Sequence, residues 1–324
     1  MAAIPSHPSF LWTHPILPGK PDGLHKPGPD MTRETRFSYH GAYINLDRSA
    51  ARRAHMEAQL ARYGVGGRYA RFAAIDGSVL KLARSMVTPG EAGAFVSHAS
   101  VLDQARSRNV PVHILEDDAL LSEHVQPVIE QAIAAGLFER FDILFTDSLL
   151  SVHLGMLKSL KAIFDKFAIS PPHPLKFTDM QVIDLAQQNF ACLTSYVVGA
   201  KSIERMSALY RQEIEIGPTR PVDIFIRDCV LAGKLRAALL FPFLTSFRLD
   251  EVAASTIGAG AAAAKPSVMV LAVLRYLFYI NRDLAYAKSC LDAATRENRQ
   301  PTDPHHAMMV QALDFILSGD FQQF

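Results

Sequence analysis

Val112-His113-Ile114-Leu115 is an apolar run that stops at three consecutive carboxylates, Glu116, Asp117 and Asp118. A buried strand asks for Val, Ile and Leu. Three adjacent acids repel one another and are costly to desolvate, so packing alone has little use for them. An open α/β sheet does have a use: it presents ligands in the crevice outside the carboxyl ends of its strands. The partner that suits such a cluster is a hard divalent cation, Mg²⁺ or Mn²⁺, itself bound to phosphate. The alternative is a solvated strand-to-loop turn whose acids do nothing, and the stretch alone leaves the two readings even.

The flanking sequence repeats a strand-helix-strand rhythm, which argues for a mainly parallel sheet. Ala42–Leu46 reads as a strand, and residues 51–64 as a helix with Met56, Leu60 and Tyr63 on one side. Asp47 or Ser49 is placed to cap that helix and Gly64 to end it. A strand followed by an Arg-rich helix start is a place for phosphate, with a solvated basic face as the alternative. Tyr69–Ile75 is a second strand, ending at Asp76-Gly77. Thr88-Pro89-Gly90-Glu91 starts a helix with a capping box and Pro at its first position. Helix is expected over 125–138, then a buried strand ending in Asp147. Residues 148–190 carry no clear pattern. Cys192–Val198 is strand-like, helices follow Gly199 and Arg220, and Leu235–Leu244 is a last apolar strand broken at Pro242.

Seven prolines between Pro5 and Pro29 make residues 1–36 a loose tail, with one anchoring cluster at Phe10-Leu11-Trp12. Residues 37–260 read as one α/β domain, its end marked by Ser255-Thr256-Ile257-Gly258 and an Ala/Gly run. Residues 261–324 read as a helical extension. Val268–Ile280 is too short for a membrane span and carries Arg275, so it reads as a buried or interfacial helix. With 49% apolar and 20% charged residues and a net charge of +1, the chain is an ordinary soluble type with nothing that calls for nucleic acid. No secretory signal is expected, because prolines interrupt the N-terminal stretch. The three cysteines lack metal-ligand spacing and fit a reducing, cytoplasmic compartment.

Four ordered pieces, YINLDRSAARRAHMEAQL, RFAAIDG, TPGEAGAFVSH and VHILEDDALL, resemble glycosyltransferase family 25, the lipopolysaccharide-type galactosyltransferases related to the collagen galactosyltransferases. Weaker matches follow in TSYVVGAKSIERM, PVDIFIRD and FPFLTS, so the likeness spans about residues 40–258 and leaves the C-terminal extension uncovered. The resemblance implies a GT-A type, Rossmann-like fold and a UDP-sugar donor. It also implies Mn²⁺ or Mg²⁺ at the acidic motif, and inverting transfer of a hexose, commonly galactose, to a saccharide or glycolipid acceptor. Two departures stand out: Ala94 where the family usually has Cys, and Phe145-Thr146-Asp147-Ser148 where it usually has a Leu-Gly-like step.

Within that resemblance Asp118 is the expected metal ligand. Glu116, on the same strand face if the strand continues, suits ribose or a metal-bound water. Asp117 would point the other way, toward the sugar or a backbone cap. Asn45, Arg48 and Arg53 are expected at the nucleotide, with Arg52 solvated. Asp76 suits ribose or uracil, or is a plain turn residue. His98 is either a donor near the diphosphate or a core histidine. Asp223 ranks first, as general base or as a second metal contact, ahead of Asp147, with helix capping as its alternative. Residues 266–324 either dock on the membrane beside a lipid-linked acceptor or pack on the core. Two other functions remain open: a binding protein that kept the fold and lost the transfer, and a different metal-dependent enzyme on a similar sheet.

Overall fold

The computed structural model describes residues 12–13, 37–80, 82, 84–150, 154–252 and 266–297. Trp12–Thr13 (β1) docks one short piece of the Pro-rich tail onto the sheet edge. The strands and helices of the acid-bearing half form where the apolar spacing predicts them. β2 (His40–Asn45) leads to α1 (Ala50–Arg62), which turns Met56 and Leu60 inward. Ser49 is its N-cap but makes no side-chain cap bond, while Gly64, at φ +67°, takes the left-handed conformation that follows many helix ends. β3 (Tyr69–Ala73) precedes α2 (Pro89–Ala105), whose start is the expected capping box: Thr88 accepts from the Glu91 N–H and the Glu91 side chain from the Thr88 N–H. β4 (Val112–Glu116) follows.

After β4 the chain leaves the main sheet through a turn at Asp117-Asp118 and forms β5 (Ala119–Leu121). α3 (Val125–Ala134), α4 (Leu137–Arg140), β6 (Ile143–Phe145) and β7 (Leu149–Leu150) come next. The unpatterned stretch contains α5 (Leu154–Ile169) and a sheet strand, β8 (Gln181–Asp184), that the sequence does not announce: only Val182 and Ile183 in it are apolar. β9 (Phe190–Ala191), β10 (Ser195–Val198), α6 (Ile203–Ile216), α7 (Val222–Leu231), β11 (Ala237–Phe241) and β12 (Thr245–Phe247) complete the α/β unit. Two helices of the C-terminal extension are described, α8 (Pro266–Tyr276) and α9 (Leu284–Glu297). The linker expected at Ser255–Gly258 lies outside the described residues.

The main sheet runs β1-β8-β11-β6-β10-β4-β2-β3. β4, β2 and β3 are mutually parallel, as are β6 and β11. β10 is antiparallel to both β4 and β6, which therefore point the same way, and β8 opposes β11 and β1. Six of the eight strands thus share one direction, the mainly parallel Rossmann-like arrangement expected. β5 and β12 pair separately beside the carboxyl end of β4.

Side chains alternate between two cores. Val112, Ile114, Ile143, Phe145, Tyr196 and Val198 pack with Phe95, Leu102, Met206, Tyr210 and Phe225 of α2, α6 and α7. Leu115, Leu144, Val197, Ala238 and Leu240 pack with Met56, Leu60, Val128 and Ile129 of α1 and α3. A third cluster joins α8 to the domain: Met269, Val270, Ala272, Val273 and Tyr276 bury against Phe247, Leu249 and Val252. Of the two readings of the extension, packing on the core is the one α8 shows. Among the described residues no helix is long and apolar enough to cross a membrane.

One polar line crosses the second core. His113 Nδ1 is hydrogen-bonded to Tyr69 Oη at 2.6 Å and His113 Nε2 to Ser195 Oγ at 2.8 Å; Ser195 Oγ bonds Thr146 Oγ1 at 2.6 Å, which bonds Thr245 Oγ1 at 2.8 Å. Gly41 stands between Tyr69 and His113 in the ladder, and a Cβ there would lie 2.1 Å from the Tyr69 ring. The glycine is what lets Tyr69 reach across. Burial lowers the His113 pKa to about 3. The unfolded chain therefore takes up a proton near pH 6.5 that the folded chain refuses until about pH 3. Stability should be complete above pH 6.5 and fall by about 1.4 kcal/mol per unit as the pH drops below it. Chemical unfolding between about pH 4.5 and 7 checks this: His113→Asn should remove the His113 part of that slope.

Candidate active site

Because β2, β3 and β4 are parallel, their carboxyl ends open on one edge. There, with the first half of α2, they enclose an open cleft of about 220 Å³. Its narrow wall is backbone against backbone. A Cβ on Gly93 of α2 would lie 2.5 Å from the Ile75 carbonyl oxygen, and the Ile75 N–H donates to Ser97 Oγ at 2.9 Å. The opposite wall is the end of β4, so Glu116, Asp117 and Asp118 all line the cleft.

The three acids share the cleft but not their partners. Glu116 ends the strand: His98 Nε2 stands 3.5 Å from its Oε1, and Thr194 Oγ1 donates to Oε2 at 3.4 Å. Burial pushes the Glu116 pKa up, but His98, Arg275 and Thr194 outweigh it and hold the carboxyl below its usual range. Asp117 accepts from Asn45 Nδ2 at 2.7 Å and from Arg52 Nη1 at 3.4 Å, and burial raises its pKa. Asp118 Oδ1 is buried with no partner. Burial, reinforced by Glu116 and Asp117, pushes its pKa up to about 7. The strand alternation expected to align Glu116 with Asp118 stops at Glu116, since the next two residues form a turn.

The expected nucleotide residues divide. Arg48 and Asp76 line the cleft and form an ion pair at its exposed rim; Asp76 also accepts from the Ser78 N–H at 3.0 Å. The Ser78 N–H and hydroxyl, with Arg48, keep the Asp76 pKa low. His98 lines the cleft and is buried, its Nδ1 2.9 Å from Tyr196 Oη, so it is both a core histidine and a cleft residue. Asn45 is buried behind the wall, where it holds Asp117 and accepts from Arg71 Nε at 2.9 Å. Arg53 is not among the cleft-lining residues; Arg52 is. Arg52 is not solvated as expected: its side chain is 17% exposed and bridges Asp117 to Glu251, whose Oε2 lies 2.8 Å from Nη2. The sequence carried a signal for this. Arg52 stands four and eight residues before Met56 and Leu60, on the stripe that faces inward.

Neither expected base lines the cleft. Asp223, in the first turn of α7, accepts from the Cys192 N–H at 2.9 Å and the Ile224 N–H at 2.8 Å. It thereby holds Cys192 at φ +77°, a conformation non-glycine residues rarely take. Asp147 is fully buried and ion-paired with Arg275 of α8. The strand-end position that suggested a base places instead a sealed ion pair. Burial pushes the Cys192 thiol up to about 12; Arg275 opposes the rise, and Asp223, Asp147 and Glu116 add to it. Arg275 and Glu251 were not legible, because both come from segments far along the chain.

Among the described residues no group of three or more His, Cys, Asp or Glu is arranged to hold a metal ion. The donor set nonetheless fits one kind of metal site. Mg²⁺-type sites commonly use one or two carboxylates and take the rest from water and substrate phosphate. Asp118, with a buried oxygen that nothing satisfies, offers that single hard ligand.

The model of glycosyltransferase family 25, described as an LPS biosynthesis protein, matches residues 41–226, more than half of the chain. No protein of curated function matches it. Glu251 lies beyond the matched segment, so the Arg52–Glu251 pair ties the two regions together. Arg52→Ala and Glu251→Ala should each cost about 1–3 kcal/mol in urea unfolding, and the double variant less than their sum by about 1 kcal/mol.

Proposed function

We propose, for a chain that belongs to glycosyltransferase family 25 and is a glycosyltransferase of the lipopolysaccharide-biosynthesis type, that it moves a hexose from a UDP-sugar to a saccharide or glycolipid acceptor. Galactose is the sugar to test first. The transfer is inverting and assisted by Mn²⁺ or Mg²⁺. The observation that carries this reading is the unpartnered Asp118 Oδ1, just past the carboxyl end of β4 and lining an open cleft. A turn that did nothing would leave such an oxygen in solvent or bonded to the protein.

Inverting transfer is one displacement at the anomeric carbon. The bond from that carbon to the acceptor oxygen forms as the bond to the diphosphate oxygen breaks, and the acceptor proton passes to a base. A divalent cation, when bound, neutralises charge on the departing diphosphate. Asp118 is the residue to hold it. Asn45 and Arg52 fix Asp117, and with it the turn that aims Asp118. His98, braced by Tyr196, orients Glu116 toward ribose or a metal-bound water. Arg48 takes the diphosphate by exchanging its partner Asp76, which is then free for ribose or uracil. Asp223 is the base this reading assigns; it stands outside the cleft lining, and its carboxylate also accepts from the Cys192 and Ile224 N–H groups. The cytoplasmic, membrane-peripheral setting is part of this proposal; free thiols at Cys192, Cys229 and Cys290 suit a reducing compartment.

A UDP-release assay across common UDP-sugars and divalent metals, with acceptor extracts, tests the reading. No UDP release from any donor would favour a binding protein that has lost transfer. Asp118→Asn should weaken Mn²⁺-supported UDP binding by about tenfold or more, measured by calorimetry on a protein with an unchanged melting curve. Asp223→Asn should lower turnover by roughly 10²–10⁴-fold while Mn²⁺-supported UDP affinity persists. Normal turnover in that variant removes Asp223 from the mechanism.

A further inference from the structure

Glu251 lies beyond the segment matched by the family model and does not line the cleft, yet it sets the pose of a side chain that does. The Arg52 guanidinium points two ways. Its Nε and Nη2 donate to Glu251 Oε2 at 3.1 and 2.8 Å, and its Nη1 reaches Asp117 Oδ1 at 3.4 Å. The grip on Glu251 is the closer one and takes two donors. Neither side chain of that grip stands in open solvent: Arg52 is 17% and Glu251 20% exposed.

The acid turn has other holds on its shape. Asn45 Nδ2 donates to Asp117 Oδ2 at 2.7 Å, and the Arg248 N–H donates to the Asp118 carbonyl oxygen at 3.1 Å. What Arg52 adds to these is charge, a fixed cation that lines the same cleft as Asp117 and Asp118. In a partly dry site such a cation competes with a divalent ion for the carboxylates. Glu251 offsets it. Glu251 also meets Arg248, whose Nη1 lies 3.2 Å from Oε1, but Arg248 has a second acid: its Nε donates to Asp250 Oδ1 at 3.3 Å. Tyr286 of α9 donates to that same Asp250 oxygen at 2.6 Å and keeps it in place. Loss of Glu251 therefore leaves Arg248 with Asp250, outside the cleft. It leaves Arg52 with Asp117, a carboxylate of the site itself.

Resting on the transferase reading above, we propose that Glu251 is a positioning residue that acts through Arg52, drawing its guanidinium back from the acid turn and so leaving the turn's carboxylates to the divalent cation. The segment after β12 then shapes the site without lining it.

The test uses the full chain at about pH 8, where carboxylates are largely ionised. Mn²⁺ affinity without nucleotide is read by electron paramagnetic resonance. Glu251→Gln should weaken it by about tenfold. Adding Arg52→Met to that variant should bring it back to the wild-type value or tighter, because Asn45 and the Arg248 N–H still hold the turn. A pair that served the fold alone gives no such rescue, since removing its second member cannot repair the first loss. Equal Mn²⁺ affinity in wild type and Glu251→Gln overturns the proposal, and so does a double variant that binds Mn²⁺ no better than Glu251→Gln. Should Glu251→Gln fail to fold, the comparison is Arg52→Met with the double variant. Without Arg52 to act through, Glu251→Gln should change Mn²⁺ affinity by less than about twofold, and a tenfold loss there overturns the proposal as well. A wild-type protein that binds no UDP even with Mn²⁺ overturns the transferase reading instead.

Discussion

Glu116, Asp117 and Asp118 repel one another, and the turn that carries them is stable because the fold gives each a different environment. Glu116 leans toward His98 and Thr194, Asp117 is held between Asn45 and Arg52, and Asp118 keeps one oxygen unsatisfied. The division follows from where β4 stops. Its last residue is still paired in the sheet, and the next two turn away into β5. The acids thus leave the ladder at the one edge where three parallel strands end together. The partners reach that edge from all along the chain. Asn45 comes from β2, Arg52 from α1, His98 from α2 and Thr194 from just before β10.

The reversed strand matters as much as the parallel ones. β10 runs against its neighbours, so the residues at its start lie beside the end of β4. That is how Thr194 meets Glu116, two residues after Cys192 donates to Asp223. Ser195, one position on, faces the opposite core and joins the polar line from Tyr69 through His113 to Thr146 and Thr245. Such a line is favourable only when every buried group has a partner. It fixes the register of β4, β6, β10 and β12 on the side away from α2. Asp147 follows Thr146 directly, so the same register sets where Arg275 must reach.

Two local signals survived intact from sequence to structure. The capping box at Thr88 and Glu91 formed as its spacing requires, and Gly64 ended α1. Both depend on atoms a few residues apart, which no tertiary arrangement needs to supply. β8 was not legible, because an edge-side strand with two apolar residues differs little from a loop until β11 offers it hydrogen bonds. The choice between Arg52 and Arg53 turned on about 100° of helix rotation. The Met56 and Leu60 stripe had already fixed that rotation in favour of Arg52. Asn45 is expected at the nucleotide because an amide can pair with a uracil edge; its direction, inward to Asp117, is a property of the packed sheet.

By itself the sequence determined the class of sheet, the place where acids leave it, the helix starts and ends around them, and the family whose ordered motifs they resemble. These are periodic or local properties, written in runs of neighbouring residues. Only the tertiary structure decided which acid keeps a free oxygen, that Asp147 is sealed by Arg275, and that Glu251 and α8 belong to the site's surroundings. The last two rest on contacts between residues 128 and 199 positions apart, and the first on partners 18 to 78 positions from the acids. Charge balance in a partly buried cleft is set by distance in space, which spacing along the chain does not encode.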